Sequence, residues 1–303
     1  MAHLAENHYG KSRVRLMKVT RDGDQHEVRE WNVGVYLQGD FELCFAGDNT
    51  GIMATDTMKN TVYSVARESA ATTPEGYAQD LARLLSERNP QARHVRITVE
   101  EKMWIRIKAG GEKHGSAFLQ RGPDLATTSL ELIPGSAPAI SSGVKGLVIL
   151  KTSKSAFKGF KRDAWTTLPE AGDRLFGTEA TIVWVYSNLL DDYAAARTRL
   201  MDTLLATFAN HDSLSVQHTL YAMAEAALAA ESAISEISLT MPNRHNNLVD
   251  LSRFGQDNPN EIFVPTDEPH GHIHARVIRA NESENAGSGA VTVALRARPR
   301  PIA

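Results

Sequence analysis

Residues Val14–Phe41, VRLMKVTRDGDQHEVREWNVGVYLQGDF, decide how this chain begins to fold. Apolar and polar residues alternate in Val14–Thr20 and again in Val28–Leu37, which is the period of a half-buried strand. The pair Asp22-Gly23 lies between the two halves and is a strong turn signal. The stretch therefore predicts an antiparallel hairpin at the start of a sheet.

Two helices are predicted after the hairpin. The segment TDTMKNTVYSVARES offers Thr55, Asp56 or Thr57 as its N-cap. In TTPEGYAQDLARLLSERN, Thr73 can cap the helix and Pro74 suits its first position. Two more strands, in HVRITVEEKMWIRIK and ATTSLELIPG, complete this half of the chain.

The same order of elements recurs after Gly135. Strand patterns in GLVILKTS and ATIVWVYSN precede helical patterns in DYAAARTRLMDTLLATFANH and SVQHTLYAMAEAALAAES, and strands in ISEISLTMP, IFVPTDE and HIHARVIRA follow. The repeat predicts an α+β protein with two similar domains, residues 8–138 and 139–280, whose antiparallel sheets carry helices on one face. Residues 281–303 are predicted to be a mobile C-terminal tail. Exposed sheet edges would favour closure with other copies into an oligomeric β-barrel.

The composition excludes several classes of protein. The 303 residues carry a net charge of −3, so nothing indicates a nucleic-acid partner or a membrane-binding surface. Cys44 is the one cysteine, which excludes an intramolecular disulfide and fits a reducing compartment. No apolar run reaches the roughly 20 residues that a bilayer requires, and the N-terminal MAHLAENHYGK lacks a secretion pattern. We therefore expect a cytoplasmic protein.

Cofactor and metal motifs find little support. The sequence has neither the glycine-rich dinucleotide loop, nor the phosphate-binding loop, nor His-Glu-x-x-His. His270, His272 and His274 are spaced by two, so a single extended strand would place them on one face, where they could bind a transition metal. The alternative is a polar, solvent-facing strand side with Ile273 pointing to the core. The spacing alone does not define a metal site, so none is predicted.

The stretch Ser238–Leu251, SLTMPNRHNNLVDL, begins as a strand and then becomes strongly polar. If the extended backbone continues through Pro242, Asn243 and His245 share a face about 7 Å apart. A histidine that titrates near neutrality beside an amide could handle protons. The alternative is a turn whose side chains bond their own backbone. The residues alone leave both interpretations open.

Several segments together resemble urate oxidase (uricase) of the bacterial type. They are YGKSRVRLMKVTR, ATDTMKNTVY, FKGFKRDAWTTLPEAGDR, SVQHTLYAM, MPNRHNNLVDL and FGQDNPNEIF, in fixed order over nearly the whole chain except the tail. The resemblance implies two tandem tunnelling-fold (T-fold) domains and a homotetramer with active sites between subunits. It also implies oxidation of urate by O2 and water to 5-hydroxyisourate and hydrogen peroxide, without metal or organic cofactor.

The resemblance also implies a role for each matching residue. Lys11 and Thr55 would form the base that takes a proton from urate, and His245 would relay protons to them. A lysine can act as a base only in its neutral form. Thr55 and Asn243 would hold O2. The positions implied to bind substrate are Asp56, Phe157, Leu168, Arg174, Val216, Gln217, Asn243 and Ile273.

The implied site has a simple logic. Phe157 would stack under the flat substrate, which is worth roughly 0.5–1.5 kcal/mol beyond burial. Arg174 would grip the purine with paired donors, Gln217 would hold its opposite side, and Asp56 would contribute largely its backbone N–H. Val216, Leu168 and Ile273 would line the pocket. His272 departs from the family pattern, because a leucine commonly precedes the matching isoleucine.

Two other functions fit parts of the sequence. One is a different T-fold enzyme acting on a pterin or purine, such as a cyclohydrolase-like or neopterin aldolase-like protein. The zinc-using cyclohydrolases need Cys and His ligands, which a single cysteine supports poorly. The other is a non-catalytic purine-binding scaffold, against which the presence of Lys11, Thr55 and His245 argues.

Overall fold

The structure, a computed structural model, describes residues 3–280, and the predicted tail lies outside them. The predicted hairpin is present as two long strands, but its turn residues are Gly23 and Asp24 rather than Asp22-Gly23, because Asp22 pairs with Gln25. Gly23 adopts φ +53°, a conformation that glycine reaches without steric cost. The first half of the described chain contains β1 Tyr9–Asp22, β2 Gln25–Gly39, α1 Glu42–Phe45, α2 Thr55–Glu68, α3 Pro74–Arg88, β3 Ala92–Ala109 and β4 Glu112–Leu132.

The second half repeats the order strand, strand, helix, helix, strand, with a small hairpin before its last strand. Its elements are β5 Ala139–Lys151, β6 Phe176–Tyr186, α4 Tyr193–Asn210, α5 Val216–Ala230, β7 Ile234–Thr240, β8 Asn243–Leu248, a 3-10 turn at Ser252–Phe254, β9 Phe263–Gly271 and β10 His274–Ile278. The polar end of the Ser238–Leu251 stretch is therefore a strand of its own, β8, in place of the turn that was the alternative interpretation.

A single antiparallel sheet runs through both halves. The strand order is β1-β2-β3-β4-β5-β6-β7-β10, and β8 pairs with β6 and β9. The halves meet where β4 pairs with β5, in register from Leu125 opposite Lys145 to Glu131 opposite Ala139. Among the described residues, β1 and β10 form the two ends of this order, and each has one strand partner.

Helices α3 and α4 pack on the same face of the sheet. Trp31 of β2 stacks on Tyr77 of α3, with ring centroids 4.7 Å apart, and Trp184 of β6 lies under the guanidinium of Arg197 from α4. Opposed residues of antiparallel strands project to the same side, and the unbroken register runs from Trp31 across to Ile182. The core therefore lies between one sheet face and the helices.

A buried ion pair joins the two halves beneath these helices. Glu75, the second residue of α3, is fully buried and accepts from Arg197 Nη2 at 2.7 Å. The same oxygen, Oε1, accepts from the hydroxyls of Ser142 at 2.5 Å and Thr128 at 3.2 Å. Arg197 also donates to the Gly143 carbonyl at 2.9 Å. One carboxylate thus connects α3 and α4 through β4 and β5.

A β-bulge in β1 changes the direction of its side chains. Lys11 pairs with Val35, and the next pair joins Val14 to Val33, so two residues of β1 oppose one residue of β2. Within the bulge, Arg13 has φ +57°, which costs a non-glycine residue roughly 1–2 kcal/mol. A regular strand would place residues 11 and 14 on opposite faces. The bulge places both beside the buried Val33 and Val35, on the helix-covered face.

The predicted helix boundaries agree with the structure except at one cap, and the short helix α1 was not predicted. Thr73 caps α3 by accepting from the Gly76 N–H, and Pro74 is the first helical residue, as predicted. The predicted cap of α2 was wrong: Ala54 occupies the N-cap position, makes no side-chain cap bond, and Thr55 is already helical. No helix within residues 3–280 is both long and apolar enough to cross a bilayer.

Candidate active site

The structure gathers the implied site residues into two groups. The first, called here the Lys11 group, comprises Lys11, Thr55 and Asp56. Lys11 lies beside the bulge of β1, and Thr55 and Asp56 are the first two residues of α2, which packs against β1. Asp56 binds Lys59 at 2.5 Å, and this hydrogen bond, with a smaller contribution from the charge of Lys11, lowers the pKa of the Asp56 carboxyl.

The start of α2 offers hydrogen-bond donors. The N–H groups of a helix's first turn have no carbonyl partner within the helix, and the helix dipole favours negative charge there. Ala54 has no side chain that could cap this turn. The first-turn N–H groups, which include those of Thr55 and Asp56, are therefore suited to binding an anion. This arrangement suits the role implied for the Asp56 backbone.

The second group, called here the Arg174 group, is built on the loop between β5 and β6. The Asp173 carboxylate accepts from the backbone N–H groups of Ser155 at 2.9 Å and Arg174 at 3.1 Å, which folds the loop back on itself. Phe157 and Ala171 exchange backbone hydrogen bonds at 2.9 and 3.0 Å. These bonds fix Phe157 and Arg174 side by side.

Arg174 and Phe157 contact each other within this loop. The guanidinium of Arg174 lies over the Phe157 ring, 5.2 Å from its centroid. The Nε of Arg174 is buried and has no hydrogen-bond partner among residues 3–280, and burial lowers the pKa of this guanidinium. Phe160 stacks on Phe157 at 4.8 Å. A donor that is desolvated and unsatisfied favours a ligand that brings an acceptor.

The start of α5 belongs to the same group. Ser213, just before the helix, exchanges backbone bonds with the segment Lys154–Ala156 at 2.8 and 2.9 Å, so the loop is tied to the helix start. Val216 is the first helical residue and is buried, and Gln217 is the second and is exposed. Gln217 therefore holds the place in α5 that Glu75 holds in α3.

The strand β8 lies close to the Arg174 group. Asn243 pairs with Thr178 of β6, four residues after Arg174, and with Gly271 of β9. His245 pairs with Thr266, and both Asn243 and His245 are half-buried. The pairing with β9 is irregular between these two residues. That Asn243 and His245 act side by side remains a prediction.

Leu168 and Ile273, two further positions implied to line the pocket, lie in the β5–β6 loop and after β9, respectively. Leu168 is exposed in the same loop, where its carbonyl accepts from Arg162 at 3.3 Å. Ile273 follows β9, is partly buried against the core, and its carbonyl oxygen accepts from the Met241 N–H at 2.8 Å. Their contact with a substrate stays a prediction.

The three closely spaced histidines do not share one strand. His270 belongs to β9 and His274 to β10, and the pairing is interrupted at residues 272 and 273. The prediction that one strand carries all three was wrong, because β9 ends at Gly271 and the chain then enters β10, which pairs with β7. His274 instead contacts the Thr240 hydroxyl at 2.9 Å. Within the described part of the chain, no three His, Cys, Asp or Glu side chains are grouped to hold a metal ion.

The Lys11 group and the Arg174 group lie at different parts of the sheet. The first is on the edge strand β1, and the second is beside β6, five strand spacings away. At 4.7–4.9 Å per spacing this is about 24 Å along the sheet. Within one chain, therefore, the Lys11 group and the Arg174 group are separate from each other.

Sequence reasoning missed the support that Asp173 gives. Its carboxylate organises the loop that presents Phe157 and Arg174, although no role for it was predicted. The available signal was Gly172-Asp173 in a polar loop, since aspartate commonly bonds backbone N–H groups near a turn.

Comparison with known proteins gives a consistent class. The family model described as Uricase matches residues 7–131 and 140–274, and the gap falls at the connection between β4 and β5. The uricase of Arthrobacter globiformis is 42% identical over 277 residues, covering 91% of this chain and 90% of that protein. The uricase of Dictyostelium discoideum is 33% identical, covering 93% and 99%.

Solved structures agree. The crystal structure of uricase from Arthrobacter globiformis has a TM-score of 0.87 and 39% identity, covering 95% of this chain and 100% of that chain. The urate oxidase structure from Bacillus sp. TB-90, at 23% identity and a TM-score of 0.77, shares the fold. The matches define the chain as an oxidoreductase. It belongs to the uricase family, and within that family it is of the bacterial type.

Proposed function

We propose that this protein oxidises urate with O2 and water to 5-hydroxyisourate and hydrogen peroxide, without metal or organic cofactor. One observation carries most weight: the buried, unpartnered Nε of Arg174 beside the Phe157 ring. A flat ring next to a desolvated guanidinium suits a planar anion rich in acceptors. Membership of the uricase family supports urate as that anion.

The two helix starts suit the same substrate. Arg174 would bind one side of urate with paired N–H groups, and Gln217 would hold the other with its amide. The first-turn N–H groups of α2 and α5 would both face the anion, which each helix dipole favours. Binding would therefore combine stacking on Phe157 with donors from three separate elements.

The proposed chemistry needs a base and a place for O2. Lys11 with Thr55 takes a proton from urate, and His245 relays protons to and from that pair. Urate then gives two electrons to O2, which takes up two protons and leaves as hydrogen peroxide. The hydroxyl of a water adds to the purine ring. Asn243 and Thr55 would hold O2 and water against the ring.

A second copy of the chain would complete the site. The Lys11 group and the Arg174 group, taken here as two half-sites, belong to strands about 24 Å apart along the sheet, so one chain would not close both around one urate. Within residues 3–280 the strand order also ends in β1 and β10, and such sheet edges suit pairing with other copies. We infer a homotetramer of paired T-fold domains, residues 8–138 and 139–280, that closes into a barrel and forms its active sites between subunits.

The first test is turnover by metal-free protein. Purified protein treated with a chelator is mixed with urate in air-saturated buffer. Loss of the urate ultraviolet band and peroxide release are followed together. We expect one peroxide per urate consumed, with no change when the chelator is omitted. Urate binding without peroxide would favour the purine-binding scaffold, and loss of activity on chelation would favour a metal enzyme.

The shared site predicts recovery of activity by mixing two inactive variants. Lys11→Met damages one half-site and Arg174→Met the other. In a co-expressed one-to-one mixture, random pairing gives intact sites at about a quarter of positions. We therefore expect about a quarter of wild-type kcat per site, although each variant alone is nearly inactive. Differently tagged chains allow mixed oligomers to be isolated and assayed for urate loss.

The matched control for this experiment is a mixture of Lys11→Met with Thr55→Ala. Both changes damage the same half-site, so mixing them restores no intact site. Recovery with Arg174→Met but not with Thr55→Ala supports sharing between chains. Absence of recovery in isolated mixed oligomers would contradict the shared site and require both groups to meet within one chain.

A further inference from the structure

Tyr9 connects the strand that carries Lys11 to the segment that precedes Thr55. It is the first residue of β1, and its Oη accepts the Met53 N–H at 3.1 Å. Its ring packs edge-on against the buried Phe41 at 4.8 Å, and burial raises the pKa of the phenol. The phenol is therefore held by packing while its oxygen reaches across to the loop.

The start of α2 depends on such outside contacts. Ala54 gives no side-chain cap, so the helix does not fix its own first turn in the usual way. The segment before it is instead held from neighbouring elements: Gln91 donates to the Gly51 carbonyl at 2.5 Å, and Tyr9 accepts from Met53. Of these contacts, the Tyr9 bond lies nearest in sequence to Thr55.

The backbone around Lys11 is also tightly held. A Cβ on Gly10 would lie 1.9 Å from the Val35 carbonyl oxygen, so β1 approaches β2 too closely there for any other residue. The bulge containing Arg13 follows at once. Tyr9, Gly10 and the bulge thus fix the position of Lys11, and the side chain of Tyr9 transmits that position to α2.

We infer that Tyr9 is a positioning residue that sets the separation between Lys11 and Thr55 in the proposed base. The inference rests on the proposed function of that pair. Tyr9 itself need not touch urate. Its effect should fall on the chemical step, because misplacement of a catalytic group by about 1 Å can cost up to a hundredfold in rate.

The test is Tyr9→Phe, which removes the acceptor oxygen and keeps the ring that packs on Phe41. We expect kcat for urate to fall about tenfold, while KM stays within about twofold, since the Arg174 group is unchanged. Hydrogen exchange at the Met53 amide should become at least about tenfold faster. Tyr63→Phe is the matched control: Tyr63 is exposed on α2 itself, and we expect kcat and exchange to stay at wild-type values.

Each outcome decides the inference. Unchanged kcat in Tyr9→Phe would overturn it. A fall in kcat together with a rise in KM and a lower thermal stability would also overturn it, because that combination indicates a purely structural role. Should the variant fail to fold, exchange on the wild-type protein decides: an unprotected Met53 amide would overturn the inference. Wild-type turnover of urate is measured first, so absence of turnover removes the proposed function, whereas turnover with an unaffected variant removes only the role of Tyr9.

Discussion

Replacing Lys11 with methionine is expected to lower kcat for urate by at least about a hundredfold while urate still binds, because general-base groups typically contribute 10²–10⁴-fold. Methionine keeps the length and apolar stem of the side chain but has no amine to accept a proton. The groups proposed to bind the ring, Arg174 and Gln217, belong to the other half-site and are unchanged. Steady-state kinetics and equilibrium binding of urate under anaerobic conditions separate the two effects.

The control for this change is Lys113→Met, because Lys113 is exposed in the hairpin between β3 and β4. It undergoes the same chemical change far from both half-sites, so its kcat should remain within about twofold of wild type. Turnover by Lys11→Met at the wild-type rate would remove Lys11 from the base. If Lys11→Met loses both urate binding and turnover, Lys11 is instead a binding residue.

Replacing Arg197 with methionine is expected to cost about 3–5 kcal/mol of unfolding free energy, because it leaves a buried charge without its partner. Glu75 is fully buried, and the Arg197 side chain is 16% exposed. The change also removes the donor to the Gly143 carbonyl. Urea unfolding measures the effect, with wild type and variants compared at the same protein concentration because the stability of an oligomer depends on concentration.

Two further variants make this measurement specific. Arg83→Met removes the exposed pair with Asp80 on the same helix α3, and surface pairs contribute at most about 1 kcal/mol. The double variant Glu75→Gln/Arg197→Met removes the buried charge along with its partner, so it should recover part of the lost stability. An Arg197→Met protein as stable as Arg83→Met would show that the pair does not hold the halves together.

The order of most elements could be predicted from the sequence because these elements have clear local signals, whereas the four-residue α1 was not predicted. Thr73 and Pro74 mark the start of α3, and the alternation in Val28–Leu37 marks β2. The pairing of β4 with β5 had no such signal. It joins strands across the midpoint of the chain, and residues with alternating burial can pair with several partners.

The side chains of the candidate site could be named from motifs, but their arrangement could not. Arg174 and Phe157 meet because the Asp173 carboxylate accepts from the Ser155 N–H and so folds their loop. These two residues are distant in sequence, so a local pattern does not reveal their contact. The cap of α2 was wrongly predicted for a related reason. Thr55 has good capping chemistry, but Ala54 is the N-cap. The segment before it is held by the bond from the Met53 N–H to Tyr9, and a contact of this kind leaves no pattern in a local stretch of sequence.

The equivalent positions of Glu75 and Gln217, each second in its helix, bear on how the two halves diverged. If the halves descend from one ancestral unit, two copies of the same helix start were inherited. One copy, with Glu75, is enclosed within the chain and is occupied by Arg197. The other, with Gln217, remains on the surface. Duplication would thus have given the two copies of one position different roles: one joins the two halves of the chain, and the other is exposed, where a ligand can reach it.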